Sequence, residues 1–143
     1  MSYSVLDYIK KLIPEDTLIQ LTDDDGIGTV NQGRVDEAIA QADSEIDSYC
    51  GGRYSVPFAT VPGIVKKISV DIAIYNLYSR RVEVIPETRA DRYKNAIRQL
   101  EGISKGVISI GVDPAPSAAT QSSNTVEIAT SEKIFSRDKM AGF

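Results

Sequence analysis

The sequence of 143 residues contains no histidine, no tryptophan and a single cysteine, Cys50. The absence of histidine excludes catalytic sites that pair serine or cysteine with histidine, and it removes histidine as a metal ligand. One cysteine excludes an intrachain disulfide and a cysteine-cluster zinc site, which fits a reducing compartment. Without tryptophan to line a sugar cleft, glycoside hydrolysis by paired carboxylates has no support. We therefore expect a protein that is not an enzyme, with Cys50 as a buried structural thiol.

Long apolar runs and phosphate-binding loops are also missing. No apolar run approaches the length of about 20 residues that spans a membrane, and the start, MSYSVLDYIKK, lacks the layout of a secretory signal. The glycines of GIG at 26–28 follow acidic residues, and the lysine of a phosphate-binding loop is missing. We expect no membrane partner and no cofactor, and a protein that is cytosolic where it is made.

Charge is unevenly distributed along the chain. Residues 1–50 carry 11 acidic and 3 basic side chains, residues 51–105 carry 5 acidic and 10 basic ones, and the rest is near neutral. The net charge of -4 argues against a nucleic-acid binder, since attraction to phosphate needs a basic face. An acidic segment followed by a basic one suits a head-to-tail contact between copies of the chain, but it also suits an ordinary uneven surface.

Apolar residues recur at helical spacing along most of the first 106 positions, which predicts a mainly α-helical fold, a compact bundle of about four to five helices. Pro14 separates a helix over 3–13 from a short second helix. Asn31 is expected to cap a long amphipathic helix. Gly51 and Gly52 are expected to end that helix in the left-handed conformation.

Two prolines make the segment 53–62 an extended linker laid on the helices. The helix predicted over 63–81 has the widest apolar surface, so we expect it at the centre of the bundle. Thr88 and Asp91 have the spacing of a capping box at the start of the last helix, and Gly106 closes that helix.

Beyond Gly106 the pattern changes from helical to strand-like. The runs VISI at 107–110 and TVEIAT at 125–130 predict a short β-hairpin around a mobile loop rich in proline, alanine and serine. We therefore divide the chain into a helical domain over 1–106 and a second region over 107–143, which holds the hairpin and a flexible C-terminal arm.

The acidic loop, residues 23–31 (DDDGIGTVN), places three carboxylates beside two glycines. Aligned with a calcium-binding EF-hand loop, Asp23 and Asp25 take ligand positions 1 and 3. However, Ile27 stands at position 5, and Arg34 stands at position 12, where a bidentate glutamate is needed. The alternative is a turn whose acidic groups lie favourably before a helix N-terminus. We keep Asp23 and Asp25 as candidate metal ligands, and a calcium-dependent binding module as the alternative function.

Basic residues give the two later helices a basic outer surface. They are Lys66, Lys67, Arg80, Arg81, Arg89, Arg92, Lys94 and Arg98. Solvated helix faces explain many such residues, whereas a partner with an acidic surface, including the first third of this chain, is the more specific explanation. Arg80 and Arg81 are the candidate partner-binding residues of this group.

The order of these segments resembles a family of small proteins encoded among the head-morphogenesis genes of Mu-like phages and prophages, which is similar to head-to-tail connector proteins of long-tailed phages. The resemblance rests on LIQLTDDDGIGTVN leading into RVDEAIAQADSEIDSYCGGRYSVPF, on VPGIVKKISVDIAIYNLYSRR followed by RYKNAIRQLEGISKGVISIGVD, and on the terminal IFSRDKMAGF. It covers nearly the whole chain. The sequence departs from the family pattern at Ile27, where an aspartate would complete a more convincing acidic loop.

The resemblance implies an α-helical connector in the virion neck, assembled in the host cytoplasm. It implies a ring of about twelve copies between the portal protein and the neck and tail completion proteins, through which DNA passes without specific binding. The C-terminal arm would then order on a neighbour. Phe135 and Phe143 are the expected anchors, since aromatic residues concentrate binding energy, with Arg137 and Asp138 as charged partners.

Overall fold

A computed structural model of the chain describes residues 1–81 and 84–116. This part contains five helices and no strand. The helices are α1 Leu6–Lys10, α2 Glu15–Thr22, α3 Gln32–Cys50, α4 Gly63–Arg81 and α5 Glu87–Ser104. The prediction of a mainly helical bundle is confirmed. No helix within the described ranges is long and apolar enough to cross a bilayer.

Helix α4 lies at the centre of the bundle, as its wide apolar surface predicts. It packs against each of the other four helices. Ile68, Ile72, Ile74 and Leu77 are almost completely removed from solvent along its length. Because a helix surrounded by neighbours must bury side chains on several sides, this segment carries apolar residues all around.

Helix α3 begins where the sequence predicts and ends in a different way. The side chain of Asn31 accepts a hydrogen bond from the backbone N–H of Arg34 at 3.2 Å, which confirms the N-cap. The prediction of a left-handed glycine at the other end is wrong, since Gly51 has φ -62° and Gly52 does not have a positive φ. Instead, the helix is followed by a turn, in which the N–H of Tyr54 donates to the carbonyl of residue 50 at 2.8 Å.

Helix α5 begins at Glu87, two residues earlier than a capping box with Thr88 at the N-cap would place it. Pro86 stands at the N-cap position, and no side-chain hydrogen bond caps the helix. Thr88 lies inside the first turn, so the predicted capping box of Thr88 and Asp91 is wrong. The fixed φ of proline prepares this start without a side-chain acceptor. Gly106, with φ +77°, closes the other end as predicted.

Residues 107–110 do not form the strand of the predicted β-hairpin. The N–H groups of Val107 and Ile108 both donate to the carbonyl of Gly102, at 2.9 and 3.1 Å, and so close the end of α5. Ile110 is buried in the core. The alternation of apolar residues here reflects packing of a helix-ending segment on the bundle. The second run, 125–130, lies outside the described residues, and the division of the chain at residue 106 stays a prediction.

A polar cluster fixes the N-terminal segment to the bundle. The carboxylate of Asp43 accepts hydrogen bonds from the backbone N–H of Tyr3 at 3.0 Å and from the hydroxyl of Ser69 at 2.8 Å. The hydroxyl of Tyr3 donates to Asp47 and accepts from the N–H of Phe58 at 3.2 Å. Burial is the main cause that raises the pKa of both Tyr3 and Asp43.

The linker between α3 and α4 lies on the helices, as predicted. Tyr54 and Phe58 are buried, and the ring of Phe58 lies 5.7 Å from that of Tyr3. Cys50, at the end of α3, is also buried, which confirms the expected burial of its thiol. Burial raises the pKa of Cys50 to about 11, so the thiol stays protonated at neutral pH.

Candidate functional site

The acidic loop is held in shape by one of its own carboxylates. Asp23 accepts hydrogen bonds from the backbone N–H groups of Ile27 at 3.0 Å and Gly28 at 2.7 Å. Gly26 and Gly28 have φ of 71° and 85°, a left-handed conformation that lets the chain turn this tightly. The hydrogen bond from Gly28 is the first of the causes that lower the pKa of Asp23. The loop therefore has a defined backbone around an ionised carboxylate.

Three guanidinium groups converge on Asp24, and we call them the arginine clamp. The carboxylate of Asp24 lies 2.8 Å from Arg80, 3.3 Å from Arg81 and 3.4 Å from Arg34. The hydrogen bond from Arg80 is the leading cause that lowers the pKa of Asp24. Since two of these arginines come from the last turn of α4, the clamp fastens the acidic loop to the central helix.

The clamp also bonds to the backbone. Arg80 donates to the carbonyl of Leu21 at 2.8 Å, and Arg81 donates to the carbonyl of Asp23 at 3.1 Å. Carbonyls at the end of a helix lack intrahelical partners, so these cations satisfy the end of α2. Arg80 and Arg81 were expected to meet the acidic surface of a partner, and the structure places both against the acidic loop of their own chain. Their role in partner binding stays a prediction.

The loop's arrangement accounts for two of its three carboxylates, Asp23 and Asp24, without a metal ion. The Asp23 carboxylate accepts from backbone N–H groups, and the clamp supplies positive charge to Asp24. Arg34, at the position where an EF-hand needs a glutamate, is itself one of the clamp cations. No group of three or more potential ligand side chains is placed to hold a metal ion in the part of the chain described. This geometry favours the turn-and-cap interpretation, and Asp23 and Asp25 remain candidate ligands for a titration to test.

A groove that the sequence did not predict lies between α1, α4 and α5. Its volume is about 400 Å³, within the range of about 300–1,000 Å³ that is common for binding clefts. Tyr8, Leu12 and Val70 form its apolar walls, and Leu12 is 41% exposed. The sequence predicted a first helix over 3–13. Helix α1 ends at Lys10, so Leu12 lies beyond it and borders the groove.

Positive charge surrounds this groove. Lys11, Lys66, Lys67 and Arg92 all line it. Among the described residues that line it, Asp71 is the one acid, and its carboxylate is buried and lies 2.9 Å from Lys67 and 3.7 Å from Arg92. One acid among four cations leaves a clear surplus of positive charge. We call this surface, with its apolar walls, the basic groove.

The four residues expected in the C-terminal arm, Phe135, Arg137, Asp138 and Phe143, lie outside the described residues. Their assignment as partner-binding residues therefore stays a prediction. The acidic loop and the basic later helices, both indicated by the sequence, correspond to the clamped loop and the basic groove.

Comparison with known proteins agrees with the resemblance noted from the sequence. A family described as Bacteriophage Mu, Gp36 matches residues 3–128. The Mu-like prophage FluMu protein gp36 of Haemophilus influenzae is 32% identical over 115 residues, which cover 80% of this chain and 79% of that protein. Gene product J of Escherichia phage Mu is 28% identical over 117 residues, 81% of this chain and 79% of that protein. With a family match over this extent, the chain belongs to the phage Mu Gp36 family.

Proposed function

We propose that this protein is a structural component of the phage particle, a head-to-tail connector that assembles as a ring beneath the portal protein. The observation that carries the proposal is that the chain belongs to a phage protein family, and two distinct polar surfaces at different places along α4 support it. The clamped acidic loop lies at the C-terminal end of this helix, and the basic groove borders its first half. Complementary surfaces at two places on one subunit suit contacts between identical copies.

The proposed mechanism is assembly without chemistry. A contact between two different surfaces of identical subunits builds a ring when the rotation between neighbours closes, and a connector of this type would contain about twelve copies. One face of the ring would bind the portal protein and the other would bind neck and tail completion proteins. DNA would pass through the channel without specific binding, helped by the net negative charge of the chain.

The proposal also assigns a place and a role to the remaining segments. The protein would be assembled in the host cytoplasm and remain in the virion neck, with no membrane partner and no cofactor. The C-terminal arm would order on a neighbouring subunit, and burial of Phe135 and Phe143 would offset the entropy lost on ordering.

Electron microscopy of portal particles from the same phage, incubated with the purified chain, tests this function. We expect additional ring-shaped density at one end of each portal. A variant truncated before residue 131 should keep its helical circular dichroism and give weaker or absent density, because it lacks the arm. Bare portals with the intact chain would contradict the connector function, whereas full density with the truncated chain would contradict only the role of the arm.

A further inference from the structure

The tip of the acidic loop presents an aliphatic side chain to solvent. Ile27 is 73% exposed, and it stands between two glycines in left-handed conformations. The hydrogen bonds from Ile27 and Gly28 to Asp23 determine the path of the backbone here, so the loop's own structure points this side chain outward. A single exposed aliphatic residue is common on protein surfaces. Ile27 is notable because the same molecule carries a groove with apolar walls and a volume of about 400 Å³.

The basic groove can receive the loop tip. Its apolar walls suit a branched aliphatic side chain, and its cations can pair with the Asp25 carboxylate, whereas the clamp already pairs with Asp24. Two of the charged groups are available for a contact between copies. In the described part of the chain, neither Asp25 on the loop nor Lys66 on the groove has an ion-pair partner, and both side chains are exposed.

We propose that the acidic loop of one copy docks in the basic groove of the next copy. Ile27 would lie against Leu12 and Val70, and Asp25 would pair with Lys66 at the groove edge. The inference rests on the proposed function insofar as it requires copies of the chain to assemble, and it names the two surfaces that would meet. The partner is thus a second copy of this chain.

The positions of the two surfaces exclude docking within one chain. Lys67 of the groove and Arg80 of the clamp stand thirteen positions apart on α4, which corresponds to about 20 Å along the helix. The loop is fastened at the Arg80 end by the clamp, so it cannot reach its own groove. A contact between the two surfaces must therefore join different copies, and repetition of that contact generates a ring or a filament.

The structure of the loop favours such a contact energetically. Ordering a mobile loop on binding costs free energy, and prior ordering reduces that cost. Here the Asp23 hydrogen bonds and the arginine clamp order the loop before it meets a neighbour. Attraction between the unpaired Asp25 carboxylate and the surplus cations of the groove would add to the rate of encounter, and salt would weaken it.

Two variants with complementary defects test the inference. Ile27→Asp removes the apolar anchor but leaves the groove intact, and Leu12→Asp places a charge in the groove but leaves the loop intact. Sedimentation velocity at low salt measures association in solution, and the number of copies bound per portal measures association on a template. Val107→Asp is the matched control, because Val107 is 81% exposed and lies outside both surfaces. Circular dichroism checks that each variant is folded.

We expect each variant alone to lose association while the Val107→Asp control associates as the unmodified chain does. Mixed in equal amounts, Ile27→Asp and Leu12→Asp should form a one-to-one dimer that does not grow, because one intact loop meets one intact groove. Lys66→Asp alone should weaken association. A double variant that carries both Asp25→Lys and Lys66→Asp should regain much of it, since the ion pair between neighbours is then reversed.

The outcomes separate this inference from the proposed function. If Ile27→Asp associates as the unmodified chain does, the docking inference is wrong and the connector function is unaffected. If both variants lose association but their mixture forms no dimer, the two surfaces do not meet each other, which also overturns the inference. If the unmodified chain neither associates nor binds the portal, both proposals are wrong.

Discussion

At the scale of single residues, Arg80 connects three parts of the molecule. Its guanidinium donates to the Leu21 carbonyl of α2 and to the Asp24 carboxylate of the acidic loop, while its backbone belongs to α4. A guanidinium suits this position because its several N–H groups point in fixed directions and can serve two acceptors at once. The geometry of the acidic loop therefore depends on a residue far away in the sequence.

Replacing Arg80 by alanine should destabilise the protein and loosen the acidic loop. Loss of the charge-assisted hydrogen bond to the Leu21 carbonyl should lower the free energy of unfolding by about 1 kcal/mol, or the melting temperature by about 4 °C. Thermal and denaturant unfolding measure this change. Arg98→Ala is the matched control, since Arg98 is exposed and makes no ion pair within the described residues. An equal loss of unfolding free energy in both variants would show that Arg80 contributes no more to stability than an exposed arginine without an ion pair.

The same residues lead to a prediction about calcium. A ligand that binds only the folded state raises the melting temperature. Because Asp23 already accepts two backbone hydrogen bonds and the clamp already neutralises Asp24, we expect millimolar calcium to leave the melting temperature unchanged. A rise that disappears in the Asp23→Asn and Asp25→Asn variants would instead support the calcium-dependent binding module.

At the scale of structural elements, Asp43 on α3 holds the N-terminal segment against α4 and is a source of pH dependence. Tyr3 and Ser69 donate to its carboxylate, Asp47 lies nearby, and burial is the main reason that its pKa is raised. Between the ordinary aspartate pKa of about 4 and the raised value, the folded state binds more protons than the unfolded state. The contribution of Asp43 to stability therefore falls as pH rises through this window.

Comparison of Asp43→Asn with the unmodified chain tests this sign. As pH decreases from 7 towards 4, the unmodified chain should gain stability relative to the variant, measured by urea unfolding at each pH. Asp24→Asn tests the opposite sign below pH 4: because the pKa of Asp24 is lowered, the unmodified chain should lose stability relative to this variant as pH falls below the ordinary aspartate pKa of about 4. The same pH trend in both variants would contradict the opposite directions of the pKa shifts of Asp43 and Asp24.

The sequence predicts the helices much better than it predicts the contacts between distant segments. Apolar spacing identifies α3, α4 and α5 because their buried faces repeat along the chain. It fails at 107–110, where apolar alternation arises from packing after a helix end and not from pairing with a strand. It also fails at the clamp: Arg80 and Leu21 are 59 positions apart, and no local pattern indicates which loop lies against which helix end.

Of the two surfaces, the acidic loop could be predicted from the sequence and the basic groove could not. The acidic loop and the basic later helices were evident from the sequence, whereas the basic groove depends on α1 ending at Lys10 and on how Leu12 then packs. The length of a short helix is determined by tertiary packing more than by its own residues. The groove could therefore be found only in the folded molecule.

At the scale of the whole molecule, α4 separates the clamped acidic loop from the basic groove. The helical bundle provides a rigid body, the acidic loop lies at one end of its central helix, and the basic groove lies about 20 Å away. In the proposed assembly, a subunit with this layout would bind the copy on one side through its loop and the copy on the other side through its groove. The proposed connector function follows from repeating this contact on the portal.

The mass of the purified full-length chain, measured by light scattering across concentration and salt with and without its portal protein, tests the central claim most directly. The account predicts a stoichiometric complex of many copies on each portal, and any association between copies should weaken as salt increases, because it joins opposite charges. A chain that stays monomeric at every salt concentration and does not bind the portal would contradict the account.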